Sequence, residues 1–85
     1  NVVKVVFSEK RGALYFSRQA IPHVRGVEPS EWINKQVFYK HIGLYGFRRQ
    51  ALLEVAALPP GVYETIESLE QLRWLENGYT IGVGV

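Results

Sequence analysis

The pattern of apolar residues at the start of the chain predicts a β-hairpin. Residues 2–7, with the sequence VVKVVF, are β-branched and aromatic, as is typical of a strand. The polar stretch SEKRG follows, ends in glycine and has a length suited to a hairpin loop. The sequence ALYFSR then predicts a returning strand that places Leu14, Phe16 and Arg18 on one side. We therefore assign residues 1–18 to a hairpin.

Residues 19–36 are predicted to form a long loop. Pro22 has no backbone donor for a sheet, and Gly26 and Pro29 also interrupt regular structure. One helical turn is expected inside this loop, around the sequence PSEWINK. Loops of this length in small domains are commonly functional or disordered.

The third predicted strand, residues 37–47, would carry polar and aromatic groups on one face. Because side chains alternate along a strand, that face would hold Tyr39, His41, Gly43, Tyr45 and Phe47. Gly43 has no side chain and would leave space between His41 and Tyr45. Such a face could form one wall of a ligand site.

Two helices are predicted after this strand. The sequence RRQALLEVAAL has Leu52, Leu53, Ala56 and Ala57 at helical spacing and stops before two prolines. The sequence VYETIESLEQLRWLEN predicts one continuous amphipathic helix. Its apolar stripe would consist of Val62, Ile66, Leu69, Leu72 and Leu75.

The ends of the second helix carry recognisable signals, and a final strand follows. Gly61 can cap the start of the helix, and Glu64 is favourable near its positive end. Gly78 is suited to the left-handed conformation at the helix end. The alternating sequence YTIGVGV then predicts a strand. Residues 37–85 thus form a strand, helix, helix, strand unit, which argues for a right-handed crossover and an α/β fold with a small mixed sheet.

Composition limits the class of protein. The chain has 85 residues, of which 47% are hydrophobic and 21% charged, so we expect one globular domain covering residues 1–85. No apolar run is long enough for a membrane span, and no signal-peptide pattern opens the chain. The absence of cysteine excludes disulfides and thiolate metal sites and fits a cytoplasmic protein. The chain begins within a strand pattern and has no methionine, so we expect it to be part of a longer protein.

Several side chains are candidates for chemistry, each with an ordinary alternative. His41 and Tyr45 could be a satisfied structural pair, or they could supply directional hydrogen bonds to a sugar or small acid. A metal site is not predicted, because His23 is the only other histidine and aspartate is absent. Arg18 and Arg25 could be exposed loop charges, or they could bind a carboxylate or phosphate.

The second helix contributes a further candidate group. Glu70 and Arg73 are spaced three residues apart and could form a solvated surface pair. On a continuous helix, however, both would flank the apolar stripe and could line a cleft. The net charge of +2 is too small to indicate nucleic-acid binding by itself.

Three motifs together resemble one known family. YFSRxxIP, HIGxY and ESLEQLRxLENGY occur in the order, and close to the spacing, found in CMP-Kdo synthetases, the 3-deoxy-manno-octulosonate cytidylyltransferases. The resemblance covers essentially the whole chain and matches the central and C-terminal part of that enzyme. It implies a place within a larger fold of the nucleotide-diphospho-sugar-transferase type, in a part that binds the sugar and dimerises.

The resemblance also implies a function. The family transfers CMP from CTP to the acidic sugar Kdo with the help of Mg²⁺, for lipopolysaccharide biosynthesis in the bacterial cytoplasm, and usually acts as a homodimer. The implied Kdo-binding residues are Arg18, His41, Tyr45, Glu70 and Gln71, with Arg25 as a looser candidate. The nucleotide-binding region and the aspartates that hold Mg²⁺ have no counterpart in this sequence, which implies a chain that is inactive alone. The resemblance implies neither a nucleic-acid nor a membrane partner.

Two other functions remain open from the sequence. The same scaffold could serve as an oligomerising module without a catalytic role, because unpaired hydrophobic strands favour self-association. A basic, aromatic sheet could also bind single-stranded nucleic acid, in which case affinity would depend steeply on salt.

Overall fold

The structure is a computed structural model that describes residues 2–35 and 37–85. Asn1 and Gln36, which belong to the predicted hairpin and loop, lie outside the described residues. The elements in chain order are β1 (Lys4–Phe7), β2 (Ala13–Ser17), a 3₁₀ helix (Pro29–Lys35), β3 (Tyr39–Lys40), α1 (Arg49–Ala56), α2 (Val62–Glu67) and α3 (Gln71–Glu76). The predicted α/β class and the helical turn in the loop are confirmed.

The N-terminal hairpin forms as the sequence predicts. β1 and β2 pair antiparallel, with Val5 opposite Phe16 and an irregularity that follows Val6. The loop is closed by the Ser8 amide, which donates to the Gly12 carbonyl at 2.8 Å, and by the Gly12 amide, which donates to Ser8 Oγ at 3.2 Å. The short polar loop therefore fixes the hairpin by local hydrogen bonds.

The third strand is much shorter than predicted. β3 pairs antiparallel with the free edge of β1, which gives the strand order β2-β1-β3. The prediction of a strand over residues 37–47 holds only for Tyr39 and Lys40 and is wrong for the residues on either side, although the His41 amide still donates to the Val3 carbonyl at 2.8 Å. Gly43 has φ +85°, a left-handed conformation that turns the chain out of the sheet.

The C-terminal segment follows the hairpin loop instead of forming a full strand. Gly82 bridges Gly12 antiparallel, and the Ala13 amide donates to the Ile81 carbonyl at 2.8 Å. Within residues 2–35 and 37–85 the paired strands are antiparallel, whereas the sequence predicted a mixed sheet closed by a right-handed crossover. The difference arises because the last segment returns to the edge of the hairpin and does not lie beside β3.

The predicted helix over residues 62–77 is divided into α2 and α3. Ser68 has φ 57°, so the helical backbone stops there although the periodic pattern continues. The predicted apolar stripe is therefore wrong in its first half. Val62 and Ile66 are 65% and 74% exposed, whereas Leu72 is only 1% exposed.

The core lies between the hairpin and α3. Its buried members are Val5, Phe16, Leu69 and Leu72. On α1 the predicted apolar face is wrong, because Leu52 and Leu53 are exposed and Val55 is the buried residue. No helix in the described part of the chain is long and apolar enough to cross a membrane.

An ion pair joins α2 to α3. Arg73 Nε donates to Glu64 Oε1 at 2.7 Å and Arg73 Nη2 donates to Glu64 Oε2 at 2.5 Å. Arg73 Nη1 also donates to the Leu58 carbonyl at 3.1 Å. These hydrogen bonds lower the pKa of Glu64 and raise that of Arg73. The expected surface pair of Glu70 with Arg73 is replaced by this bidentate pair.

Both ends of this helical unit are capped. The Glu76 carboxylate accepts hydrogen bonds from the amides of Val62, Tyr63 and Glu64 at 3.0, 3.1 and 3.2 Å, and so occupies the positive end of α2. At the end of α3, Gly78 has φ +82°, as predicted. The Gly78 and Tyr79 amides donate to the carbonyls of the last helical turn, which is the Schellman arrangement.

Replacing Gly61 by alanine should destabilise the protein. A Cβ atom at Gly61 would lie 2.3 Å from Glu76 Oε2, so the carboxylate would have to leave the start of α2. We expect a loss of about 1–2 kcal/mol in the free energy of unfolding, the usual magnitude for a lost N-terminal cap. Urea denaturation measures this change.

The control for this prediction is Gly84→Ala, because a Cβ atom at Gly84 would meet nothing within 4 Å. In a Glu76→Ala background the cap is already absent, so Gly61→Ala should then change the free energy of unfolding very little. Equal losses from Gly61→Ala in both backgrounds would contradict the prediction.

Candidate functional site

The centre of the candidate site is a hydrogen-bonded pair of rings. Tyr45 Oη lies 2.8 Å from His41 Nε2. The sequence predicted that the two side chains would share a face because of strand alternation. The structure brings them together by the turn at Gly43 instead, and the His41 ring packs edge-on against Phe16 at 4.9 Å between centroids.

Burial sets the protonation of this pair. It lowers the pKa of His41, so the imidazole is neutral at pH 7. Burial, and then the negative charge of Glu70, raise the pKa of Tyr45 to about 12, so the phenol keeps its proton. A neutral imidazole accepts at one nitrogen and donates at the other. With the Tyr45 hydroxyl donating to Nε2, the Nδ1–H of His41 is a donor for a further partner.

Aromatic rings hold Tyr45 in place. Trp74 of α3 meets Tyr45 edge-on at 5.1 Å and Phe47 at 5.2 Å between centroids. The sequence analysis did not single out Trp74. The helical period did not mark it, because on a continuous helix Trp74 lies about 120° from Val62 and outside the apolar stripe. Trp74 therefore packs the rings of Tyr45 and Phe47 against α3.

Glu70 and Gln71 stand at the start of α3. Glu70 is exposed, and its charge acts on Tyr45. Gln71 is only 8% exposed, and within residues 2–35 and 37–85 its side chain makes no hydrogen bond. No buried side-chain nitrogen or oxygen in these ranges lacks a partner, so the amide atoms of Gln71 reach solvent. The site therefore combines an exposed carboxylate with an amide at the edge of the buried region.

The two predicted arginines differ in their surroundings. Arg18 Nη1 donates to the Glu67 carbonyl and, at 3.3 Å, to the Ser68 carbonyl, and so caps the end of α2. Arg25 is exposed in a turn with Gly26, and within residues 2–35 and 37–85 it makes no hydrogen bond to the other candidates. Arg18 is thus next to the turn that leads to Glu70, whereas Arg25 is not placed with the group.

A cleft of about 390 Å³ lies beside the ring pair. Its walls include Phe16, His41, Tyr45 and Val83. Arg18, Glu70 and Gln71 are not among the described residues that line it. The structure therefore brings His41 and Tyr45 together in the wall of the cleft. Glu70 lies outside this wall, and its charge affects the cleft by raising the pKa of Tyr45.

The sequence analysis did not identify the carboxylate that anchors this region. Glu67, the last residue of α2, accepts hydrogen bonds from Tyr15 and Ser17 of β2. Nothing in the local pattern distinguished it from a solvated glutamate. Among the residues that the structure describes, no group of three or more His, Cys, Asp or Glu side chains could hold a metal ion.

The stability of the protein should fall at acidic pH because of His41. Its pKa is lower in the folded than in the unfolded state, so the unfolded state binds more protons as the pH decreases below about 6.5. The unfolding free energy, measured in urea at pH 5 and pH 7.5, should therefore be smaller at pH 5.

His41→Gln should reduce this difference between the two pH values. His23→Gln is the matched control, because His23 is the only other histidine, and it should leave the difference as it is. The same pH dependence in the His41→Gln variant and the unmodified protein would contradict the assignment.

Removing the charge of Glu70 should lower the pKa of Tyr45. Glu70→Gln keeps the size of the side chain but takes away the negative charge that disfavours the phenolate. Ultraviolet titration isolates Tyr45 when each protein is compared with its own Tyr45→Phe variant. Glu9→Gln, an exposed glutamate in the hairpin loop, is the control. An unchanged pKa of Tyr45 in Glu70→Gln would show that the two side chains are not neighbours.

Comparison with known proteins supplies the family. A family model described as cytidylyltransferase matches residues 1–81. Proteins named 3-deoxy-manno-octulosonate cytidylyltransferase from Parabacteroides distasonis and Phocaeicola vulgatus are each 54% identical over the whole chain, and one from Bacteroides thetaiotaomicron is 52% identical. The chain spans 34% of the length of each of these relatives.

A solved structure agrees with the sequence relatives. It is titled as CMP:2-keto-3-deoxy-manno-octonic acid synthetase complexed with CTP, and it superimposes with a TM-score of 0.81 and 41% identity. The match covers 95% of this chain and 31% of that chain. The resemblance to CMP-Kdo synthetases that the motifs indicate is confirmed. This chain belongs to the cytidylyltransferase family.

Proposed function

We propose that this chain is the acidic-sugar-binding part of an enzyme that transfers CMP from CTP to Kdo. The observation that carries this proposal is the hydrogen-bonded pair of His41 and Tyr45 beside the charge of Glu70. Three relatives that match the whole chain are named for this reaction. A pair of rings with oriented donors, next to a carboxylate that accepts, is suited to forming hydrogen bonds with sugar hydroxyls.

Each proposed contact follows from the chemistry of the sugar. Kdo carries several hydroxyl groups, which both donate and accept hydrogen bonds. His41 would donate through Nδ1–H, and Glu70 would accept from hydroxyls, while the half-buried Tyr45 would keep the imidazole oriented. Gln71 can do both, because its amide has donors and an acceptor.

Arg18 is the proposed cation for the sugar carboxylate. A guanidinium has five N–H donors, and Arg18 donates to the end of α2 through Nη1. The remaining donors can form the paired hydrogen bonds that a carboxylate accepts. Arg25 is a second candidate for binding the sugar carboxylate, although no contact among the described residues supports this role.

The nucleotide half of the reaction is assigned to the rest of the enzyme. The described residues contain no cluster that fits Mg²⁺, so we place no ion on this chain and derive no step through one. Cytidylyl transfer needs a held triphosphate and a sugar hydroxyl positioned in line. We therefore propose that the isolated chain is inactive. We place the complete enzyme in the bacterial cytoplasm, where CTP is available.

Self-association is part of the same proposal. Ile42 and Leu44 flank the turn at Gly43 and are 80% and 91% exposed, which is unusual for two neighbouring aliphatic side chains. A homodimer would cover them. A non-enzymatic oligomerising module would use the same surface, but it would not need the polar groups of the site.

In the complete protein, His41→Ala and Glu70→Ala should raise the KM for Kdo about five- to hundredfold, because the loss of one partner of a polar contact that the bound sugar buries would cost about 1–3 kcal/mol. The KM for CTP should change little, since neither side chain is proposed to touch the nucleotide. Pyrophosphate release at saturating concentrations of the other substrate measures both constants.

Glu9→Ala is the matched control for Glu70→Ala, because Glu9 is an exposed glutamate of the hairpin loop. It should leave both KM values as they are. Unchanged KM values for Kdo in His41→Ala and Glu70→Ala would refute the proposed sugar site. A complete protein that forms oligomers but releases no pyrophosphate would favour the oligomerising module.

A further inference from the structure

The turn between α2 and α3 is fastened to β2 by one carboxylate. Tyr15 Oη donates to Glu67 Oε2 at 2.9 Å, and Ser17 Oγ donates to Glu67 Oε1 at 3.0 Å. Ser17 is 2% exposed, and its Oγ also accepts from the Gln19 amide at 3.1 Å. Both carboxylate oxygens therefore have fixed partners on the strand.

The main chain at the same place is also held. Arg18 donates to the carbonyls of Glu67 and Ser68, so three side chains from the end of β2 bind this short turn. Tyr15 and Ser17 reach the same carboxylate because side chains two residues apart share one face of a strand. Burial and the hydrogen bond to Glu67 raise the pKa of Tyr15 to about 12, so the Tyr15 hydroxyl remains a donor at every physiological pH.

The fastened turn is the one that presents the proposed sugar ligands. Ser68 is in the left-handed conformation with φ 57°, which is unfavourable for a residue with a Cβ atom. Leu69 then enters the core, and Glu70 and Gln71 follow directly. An unfavourable backbone conformation persists where its surroundings hold it.

We propose that Glu67 is a positioning residue for the sugar site. Its carboxylate fixes the α2–α3 turn on β2 and thereby sets the place of Glu70 and Gln71. Each oxygen of Glu67 already accepts from a hydroxyl of β2, so the role assigned to Glu67 is to act through the turn and not to touch the sugar. This inference rests on the proposed sugar site.

The test is made in the complete protein and removes the contact between Glu67 and the two hydroxyls, first by changing Glu67 and then by changing Tyr15 and Ser17. Glu67→Gln keeps the shape of the side chain but replaces one acceptor oxygen by an amide group, which faces a hydroxyl donor. The double variant Tyr15→Phe/Ser17→Ala removes both donors and leaves every proposed sugar ligand intact. We expect each of the two proteins to show about a tenfold higher KM for Kdo, with kcat and the KM for CTP within about twofold.

A combined variant distinguishes positioning from direct contact. If Glu67 acts through the two hydroxyls, adding Glu67→Gln to Tyr15→Phe/Ser17→Ala should raise the KM for Kdo no further. Fully multiplicative effects would mean that Glu67 touches the sugar, and would overturn the proposal. An unchanged KM for Kdo in both Glu67→Gln and Tyr15→Phe/Ser17→Ala would overturn the proposal as well. Glu67→Asp, which keeps the carboxylate, should recover part of the loss.

Two controls separate this inference from the proposed function. Glu9→Gln tests the same chemical change on an exposed glutamate and should have no effect. If Glu70→Ala raises the KM for Kdo but the Glu67 and hydroxyl variants do not, the positioning role fails and the sugar site stands. If Glu70→Ala also has no effect, the proposed function fails. Should Glu67→Gln not fold, as judged by circular dichroism, the single variant Ser17→Ala provides the same comparison.

Discussion

The left-handed Ser68 between α2 and α3 is the constraint on which the arrangement of the site depends. A residue with a Cβ atom costs about 1–2 kcal/mol in this conformation, so the turn needs compensating contacts. It has them on both sides. Glu67 binds the hydroxyls of β2, and Leu69 is buried with Phe16 in the core. The turn redirects the chain so that α3 packs on the hairpin while α2 remains largely at the surface.

Local sequence signals predicted the parts of the fold that local forces determine. The five-residue hairpin loop, the helical turn in the loop and the glycine after α3 each form within a few residues of chain. The break at Ser68 could not be found in this way, because the apolar period continues through it. It depends on a carboxylate meeting strand hydroxyls that are 50 and 52 residues away in the sequence. The exposed Val62 and Ile66 follow from the same break.

The sequence predicted that His41 and Tyr45 are neighbours, but not the geometry that brings them together. The alternation of residues 37–47 correctly suggested that His41 and Tyr45 are neighbours, yet the strand ends at Lys40 and the turn at Gly43 joins them. Residues four apart lie on the same face of a strand, but a tight turn between them can also bring their side chains together. The contacts of Trp74 with Tyr45, and of Glu76 with the start of α2, are tertiary and have no local signal.

In the proposed site, the single guanidinium of Arg18 would have two roles. Nη1 donates to the carbonyls that end α2, and the other nitrogens would bind the carboxylate of the sugar. A planar group with several fixed donors can do both at once, whereas the compact ammonium of a lysine has donors converging on a single point. The α2–α3 turn and the sugar carboxylate would thus be bound to the same cation. Sugar binding would therefore tighten the turn that carries Glu70 and Gln71, and the turn would orient the cation before the sugar arrives.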